Sequence, residues 1–343
     1  MSTIYGHDHI LRELDSELAQ NRLSHAYLLV GAPHIGKMSL ALHFAKTINC
    51  LNLDGGTPCQ NCNQCIRISN AQHPDVRIET LESMISDSSR TAKSMHIDQI
   101  RDVLRHVNLS PFESSHKIII FEQAELLNNE SGNALLLTLE EPPPNVVFFL
   151  LTDQESAMLS TIHSRCRKLQ LHPLPKREVS NYLIETHRVE PSLAEQLARL
   201  SQGCLGSAIN SITDTEILID RTIQIKAVYE TSQSPLQTRF AYASEIAQIF
   251  RQDRASAKHI LFFWQGWWRD LLLVKIGTED FILNLDYINE LRLHASGLTQ
   301  TNIVDFLKSL EDTTSHLDRN VNARLAMEVL MLNLPVSKHL QVL

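Results

Sequence analysis

Gly31-Ala32-Pro33-His34-Ile35-Gly36-Lys37 matches GxxxxGK, the spacing at which a glycine-rich loop wraps phosphates in backbone N–H groups while its lysine reaches the β- and γ-oxygens. The pattern then calls for a Ser or Thr hydroxyl to hold Mg²⁺, and position 38 is Met. A thioether is a poor ligand for so hard a cation. An ATPase of this kind also needs an acidic residue for Mg²⁺ at a strand end, then a Glu to polarise the attacking water. Here the strand end reads Glu122-Gln123-Ala124-Glu125. Glu122 can still approach a cation, but neutral Gln123 cannot serve as a general base. Two losses in one site are harder to ascribe to accident than one.

The second constellation is Cys50, Cys59, Cys62 and Cys65, with Asp54, Gly55, Gly56 and Pro58 supplying the turn between the first two. Four thiolates close a tetrahedral shell, and the two-residue gaps let neighbouring sulfurs point at one ion, with Zn–S near ~2.3 Å. Structural zinc is the reading the spacing favours, against unliganded buried thiols, an iron–sulfur cluster or a redox role. With four protein ligands such a site has no open position for a substrate and would staple a loop. His73, in His73-Pro74-Asp75, reads as a satisfied histidine and not as a fifth ligand.

The elements that must position these groups follow from periodicity. Residues 4 to 22 carry helical spacing, Ala26 to Val30 is the first strand, and Ser39 to Ile48 is the helix that a phosphate loop must precede. Val76 to Glu79 is a short strand, Leu81 to Lys93 is a polar, Ser-rich exposed loop, and Ile97 to Val107 is an amphipathic helix. The nearly all-apolar run Lys117 to Phe121 predicts a central strand of a parallel sheet covered on both faces. Helix Ser131 to Glu141 stops at Pro142, Pro143 and Pro144, and Asn145 to Thr152 and Lys168 to Leu171 are the remaining strands. Thr152 stands where a strand end could meet phosphate, although such a threonine is usually structural. Arg165, in Ser164-Arg165-Cys166 before the last strand, is by default a solvated charge.

At 343 residues with 43% hydrophobic content, the chain can build two or three ordinary cores. A formal charge of −8 argues against a protein that coats nucleic acid by itself. The N-terminus lacks a signal-peptide core and charges interrupt each apolar stretch, which implies a cytoplasmic protein.

Taken together, these residues resemble the clamp-loader branch of the AAA+ proteins. The resemblance is carried by His25 to Leu29, the loop at Gly31, the four cysteines, His73-Pro74-Asp75 and Ile97 to Arg101. It continues through Asn133-Ala134-Leu135-Leu136, Leu139-Glu140-Glu141-Pro142-Pro143 and Ser164-Arg165-Cys166, covering about the first 173 residues in order. It implies an AAA+ parallel-sheet domain over 1–173 with a zinc module inserted at 50–65, a small helical lid over 174–212, and an all-α collar used for oligomerisation over 213–343. The family's ATPase members look like proteins with the Mg²⁺ hydroxyl, the acidic pair and a later arginine in a glycine-containing motif. Here those positions are Met38, Glu122 with Gln123, and Gly206. The departures are those of the family's non-hydrolysing member.

The resemblance further implies that Arg165 projects into the ATP site of an adjacent gamma/tau-type ATPase subunit. A permanent, bidentate cation stabilises the phosphoryl-transfer transition state there. The implied partners are those ATPase subunits and a delta subunit in a hetero-oligomeric ring of the DNA polymerase III holoenzyme, and through the ring the sliding clamp and primed DNA. Gly31, Gly36 and Lys37 then form a degenerate cradle with little or no nucleotide, or Lys37 only caps a helix. A working gamma/tau-type ATPase is the alternative. A zinc-dependent single-strand DNA-binding protein is disfavoured by the net charge and the closed metal shell.

The second half holds short helices at Lys176 to Glu185 and Ser192 to Ser201. Helical spacing then recurs over Ile217 to Tyr229, Thr238 to Phe250, Ala255 to Lys275, Phe281 to His294, Thr301 to Leu317 and Asn322 to Leu332. In Phe262-Phe263-Trp264 with Trp267 and Trp268 the aromatics recur at three and four residues and read as core, not as a stacking platform for bases.

Overall fold

Three strands, Ala26–Val30 (β1), Lys117–Phe121 (β3) and Val146–Thr152 (β4), are buried at every position. Such strands need cover on both faces, and parallel pairing with crossover helices supplies it. With Val76–Glu79 (β2) and Arg167–Gln170 (β5) they form one parallel sheet in the order β2-β3-β4-β1-β5. Tyr27 and Leu29 of β1 join a core with Ile10 and Leu14 of Asp8–Ala19 (α1) and Leu40 and Phe44 of Lys37–Asn49 (α2). Ala26, Leu28 and Val30 face the other way, toward Ile100 and Val103 of Ile97–Val107 (α4) and Leu135 and Leu139 of Asn129–Glu140 (α5). This is the parallel-sheet α/β layering that the resemblance implies. The run Lys117–Phe121 is interior, but the middle of the sheet belongs to β4, which lies between β3 and β1.

The computed structural model describes residues 4–20, 22–80, 95, 97–319 and 321–335. The loop expected over Leu81 to Lys93 lies outside them. The chain divides into two compact units, residues 1–179 with 202–207 and residues 180–201 with 208–343. Two short helices, Asn63–Ser69 (α3) and Ser160–His163 (α6), join the first unit; neither is long enough to show a period in the sequence.

Asp75 fixes part of that unit. Its carboxylate accepts from the N–H groups of Phe112 (2.7 Å), Glu113 (2.9 Å) and Ser114 (3.1 Å) and from the Ser114 hydroxyl (2.8 Å). Burial alone would raise its pKa, but these donors outweigh burial and hold it below the ordinary value of 3.8. A depressed carboxylate contributes stability above its unfolded pKa and loses it as pH falls through the folded one. Asp75→Ala is therefore expected to cost about 1–3 kcal/mol at pH 7, the cost of orphaned buried donors. In urea denaturation that difference should shrink as the pH is taken below 3.8.

In the second unit, Pro191–Leu200 (α8) is followed by Thr215–Gln233 (α10), Leu236–Gln252 (α11), Arg254–Ile276 (α12), Ile288–Ser296 (α13), Gln300–Asp318 (α14) and Ala323–Asn333 (α15). Helices Lys176–His187 (α7) and Leu205–Thr213 (α9) each run through a boundary between the units. Trp264, Trp267 and Trp268 are fully buried at the centre of this bundle and are core as their spacing predicts, but Phe263 is only partly buried and Phe262, on the outer face of α12, is 53% exposed. The helix expected over Phe281 to His294 is instead two 3-10 turns followed by α13. The buried Asp270 carboxylate accepts from the N–H groups of Leu283 and Asn284, which turns the chain at that point. No helix among the described residues is long and apolar enough to cross a membrane.

Candidate nucleotide loop, arginine and metal centre

The glycine loop connects β1 to α2, and Gly36, with φ of 110°, is the residue from which α2 starts. That end of a helix presents free N–H groups and a partial positive charge, suited to an anion. Lys37 is not aimed outward, however. Its ammonium donates to the carbonyls of Gly31 (2.6 Å) and Ala32 (2.9 Å), two residues of its own loop. Burial lowers its pKa, opposed by the carboxylates of Asp153 and Glu125. Met38, at the position where the motif calls for a hydroxyl, packs half-buried against the apolar core that contains Leu40 and Phe44.

The loop also meets the backbone at residue 206. The N–H of Gly206 donates to the carbonyl of His34 at 3.0 Å, and a Cβ at position 206 would lie 2.6 Å from that oxygen. No side chain fits at position 206 without moving the loop. Gln123 and Glu122 are both exposed at the end of β3. Glu125, three residues on, is the acidic group that points inward: its Oε2 is buried, burial raises its pKa, and the Asp153 carboxylate just past β4 raises it further while Thr152 lowers it. The hydroxyl of Thr152 also accepts from the N–H of Gln154 at 3.1 Å. Asp153 went unassigned in the sequence. Its position directly after an apolar strand, at the carboxyl edge where such sheets bind ligands, was the available signal.

Arg165 follows α6 and precedes β5. Its guanidinium donates to the Thr161 carbonyl (3.0 Å) and the Ser164 hydroxyl (3.2 Å) and forms an ion pair with Glu140 at the end of α5. A third of the side chain remains exposed. Arg165 and Lys37 have no hydrogen-bond or ion-pair partner in common among the described residues.

The four cysteines do converge. The Sγ atoms of Cys50, Cys59, Cys62 and Cys65 all lie within 4.8 Å of one another, Cys50 and Cys59 at 3.5 Å and Cys50 and Cys62 at 4.0 Å. Tetrahedral coordination at ~2.3 Å requires sulfurs spaced close to these values. Backbone N–H groups point at the sulfurs: Cys59 N–H to Cys50 (3.3 Å), Cys62 N–H to Cys59 (3.3 Å) and Cys65 N–H to Cys62 (3.4 Å). Burial pushes the Cys62 thiol up, but the N–H groups of Cys65 and Leu51 and the neighbouring thiols outweigh it and bring it down to about 6. Four soft donors in this geometry could bind a metal such as zinc. His73 stands outside the cluster: its Nδ1 accepts from the Asp75 N–H (3.0 Å) and its Nε2 meets the Gln64 side-chain carbonyl. It is a satisfied buried histidine.

A family model described as "DNA polymerase III, delta subunit" matches residues 6–175, and one described as "DNA polymerase III, delta subunit, C terminal" matches residues 235–335. DNA polymerase III subunit delta' of Bacillus subtilis (strain 168) is 29% identical over 325 residues, 95% of each chain. The chain belongs to the DNA polymerase III delta' family. A second delta' relative, from Pseudomonas aeruginosa, is 35% identical over 182 residues, which is 52% of this chain and 53% of that one. DNA polymerase III subunit tau of Escherichia coli (strain K12) is 35% identical over 219 residues. That match takes in 62% of this chain but only 32% of tau, so likeness to tau is confined to part of each protein, whereas delta' of B. subtilis is matched almost end to end.

Proposed function

We propose that this delta' family member works as a non-hydrolysing subunit of a clamp loader and supplies Arg165 in trans to an ATP site on a neighbouring gamma/tau-type subunit. The ring would also contain a delta subunit and would place the sliding clamp on primed DNA in the cytoplasm. The observation that carries the reading is the state of the chain's own cradle. Lys37 is bonded to Gly31 and Ala32, Met38 replaces the Mg²⁺ hydroxyl, and the Gly206 backbone closes directly on His34. A phosphate entering that cradle would have to displace two short hydrogen bonds with no cation ligand to compensate, beside the acidic Glu125 and Asp153. Relatives named tau and gamma support membership of such an assembly.

Arg165 suits the role in trans because its guanidinium is held by loop and helix-end groups at a partly exposed position. An exposed Arg–carboxylate pair contributes about 0–1 kcal/mol, so exchanging Glu140 for a phosphate costs little. In the same proposal Cys50, Cys59, Cys62 and Cys65 hold structural zinc, residues 174–212 form the lid and residues 213–343 the collar. Mg²⁺-ATP titrated into the isolated chain should show no saturable binding in the micromolar range. Micromolar affinity, or turnover by the chain alone, would favour the gamma/tau-type ATPase reading instead.

A further inference from the structure

Lys46, in the last turn of α2, is 4% exposed, and its ammonium donates to the Gln60 side-chain carbonyl at 3.1 Å. Gln60 lies between Cys59 and Cys62, with a left-handed φ of 61°. A buried ammonium needs a compensating negative charge. Among the described residues no carboxylate forms an ion pair with Lys46. Around it stand His43 of α2, whose pKa burial lowers, and Ser69 of α3, which lines the same small cavity of about 120 Å³; the Asp15 carboxylate of α1 acts on His43 and forms no ion pair with Lys46. A divalent ion in a shell of four thiolates leaves the opposite imbalance, a net charge of two minus in a part-buried pocket. One loop, Cys59 to Cys62, connects the two.

We propose that Lys46 is the counter-cation of the cysteine-bound metal, acting through Gln60 and through space to stabilise the metal–thiolate charge. This rests on the zinc reading above. It makes Lys46 a positioning residue of the metal centre, and it explains why a lysine, and not an aliphatic residue, occupies a buried helix position. The Lys46 stem can still pack as an aliphatic chain would; the ammonium is what the metal requires.

The test uses the full chain and zinc itself, with affinity measured by chelator competition and stability by thermal unfolding before and after the metal is stripped. Partners outside the ligand shell typically change metal affinity 10–100-fold. Lys46→Gln, which keeps a hydrogen-bonding group but no charge, is expected to weaken zinc at least tenfold, while Lys46→Arg keeps the wild-type affinity. The stability loss of Lys46→Gln should be present in loaded protein and absent in stripped protein. Equal zinc affinity for wild type and Lys46→Gln would overturn the role of the lysine alone, as would an equal loss of stability with and without metal. Wild-type protein that binds no zinc would remove the zinc reading and this inference together.

Discussion

With Arg165 replaced by alanine, ATP hydrolysis at the neighbouring site that receives it is expected to fall roughly 10³- to 10⁵-fold, the range that an arginine finger contributes to phosphoryl transfer. The chain should still fold, because the group removed is partly exposed and its ion pair with Glu140 lies at the surface. Assembly with partner subunits should survive for the same reason. Arg165→Lys should recover little of the rate, since a point charge cannot reproduce the planar fork that matches two phosphate oxygens. The measurement is clamp- and DNA-stimulated turnover of the reconstituted assembly, with single-turnover hydrolysis to isolate the affected site. Unchanged turnover would remove the finger from the account.

The second large effect is expected at the cysteines. Zinc in small structural sites contributes apparent binding free energies on the order of 10–16 kcal/mol at neutral pH. Its loss should therefore unfold the segment it organises and destabilise the first unit. Cys62→Ser removes the thiol that burial would raise but its N–H and thiol neighbours bring down to about 6. That variant should be isolated without stoichiometric metal and should show early loss of structure around residues 50–69, read by hydrogen exchange. Metal release should also be favoured by acid, because each ligand binds as a thiolate. Native protein that contains no zinc by elemental analysis would discard the site.

Much of this was legible in the sequence because the signals are local. The β1–loop–α2 unit, the apolar run Lys117–Phe121 and the cysteine spacing each specify their own geometry over a few residues, and the structure brings the four sulfurs together. Other features depend on contacts distant in sequence, where no pattern exists to read. Gly206 could be seen as a missing arginine, but not that its backbone closes on His34, 172 positions away. Lys37 reads as a phosphate ligand by motif, yet its ammonium is folded onto Gly31 and Ala32. Glu122 stands at the expected position but is exposed, while the inward carboxyl is Glu125, in the turn after β3 and near Asp153, which follows β4. Strand order follows the same rule. The burial of β3 was evident from its composition, but β4's place at the middle of the sheet is a tertiary fact. The turn at Leu283 and Asn284, set by the buried Asp270, interrupts what periodicity alone would continue as helix.

The central claim is that this chain contributes to ATP hydrolysis with Arg165 and not with its own glycine loop. One comparison addresses it directly: turnover of the reconstituted, clamp- and DNA-stimulated assembly carrying Lys37→Ala beside the same assembly carrying Arg165→Ala. The account predicts near wild-type hydrolysis for Lys37→Ala and a collapse at the adjacent site for Arg165→Ala. The reverse pattern, with turnover lost through Lys37 and retained without Arg165, would contradict it.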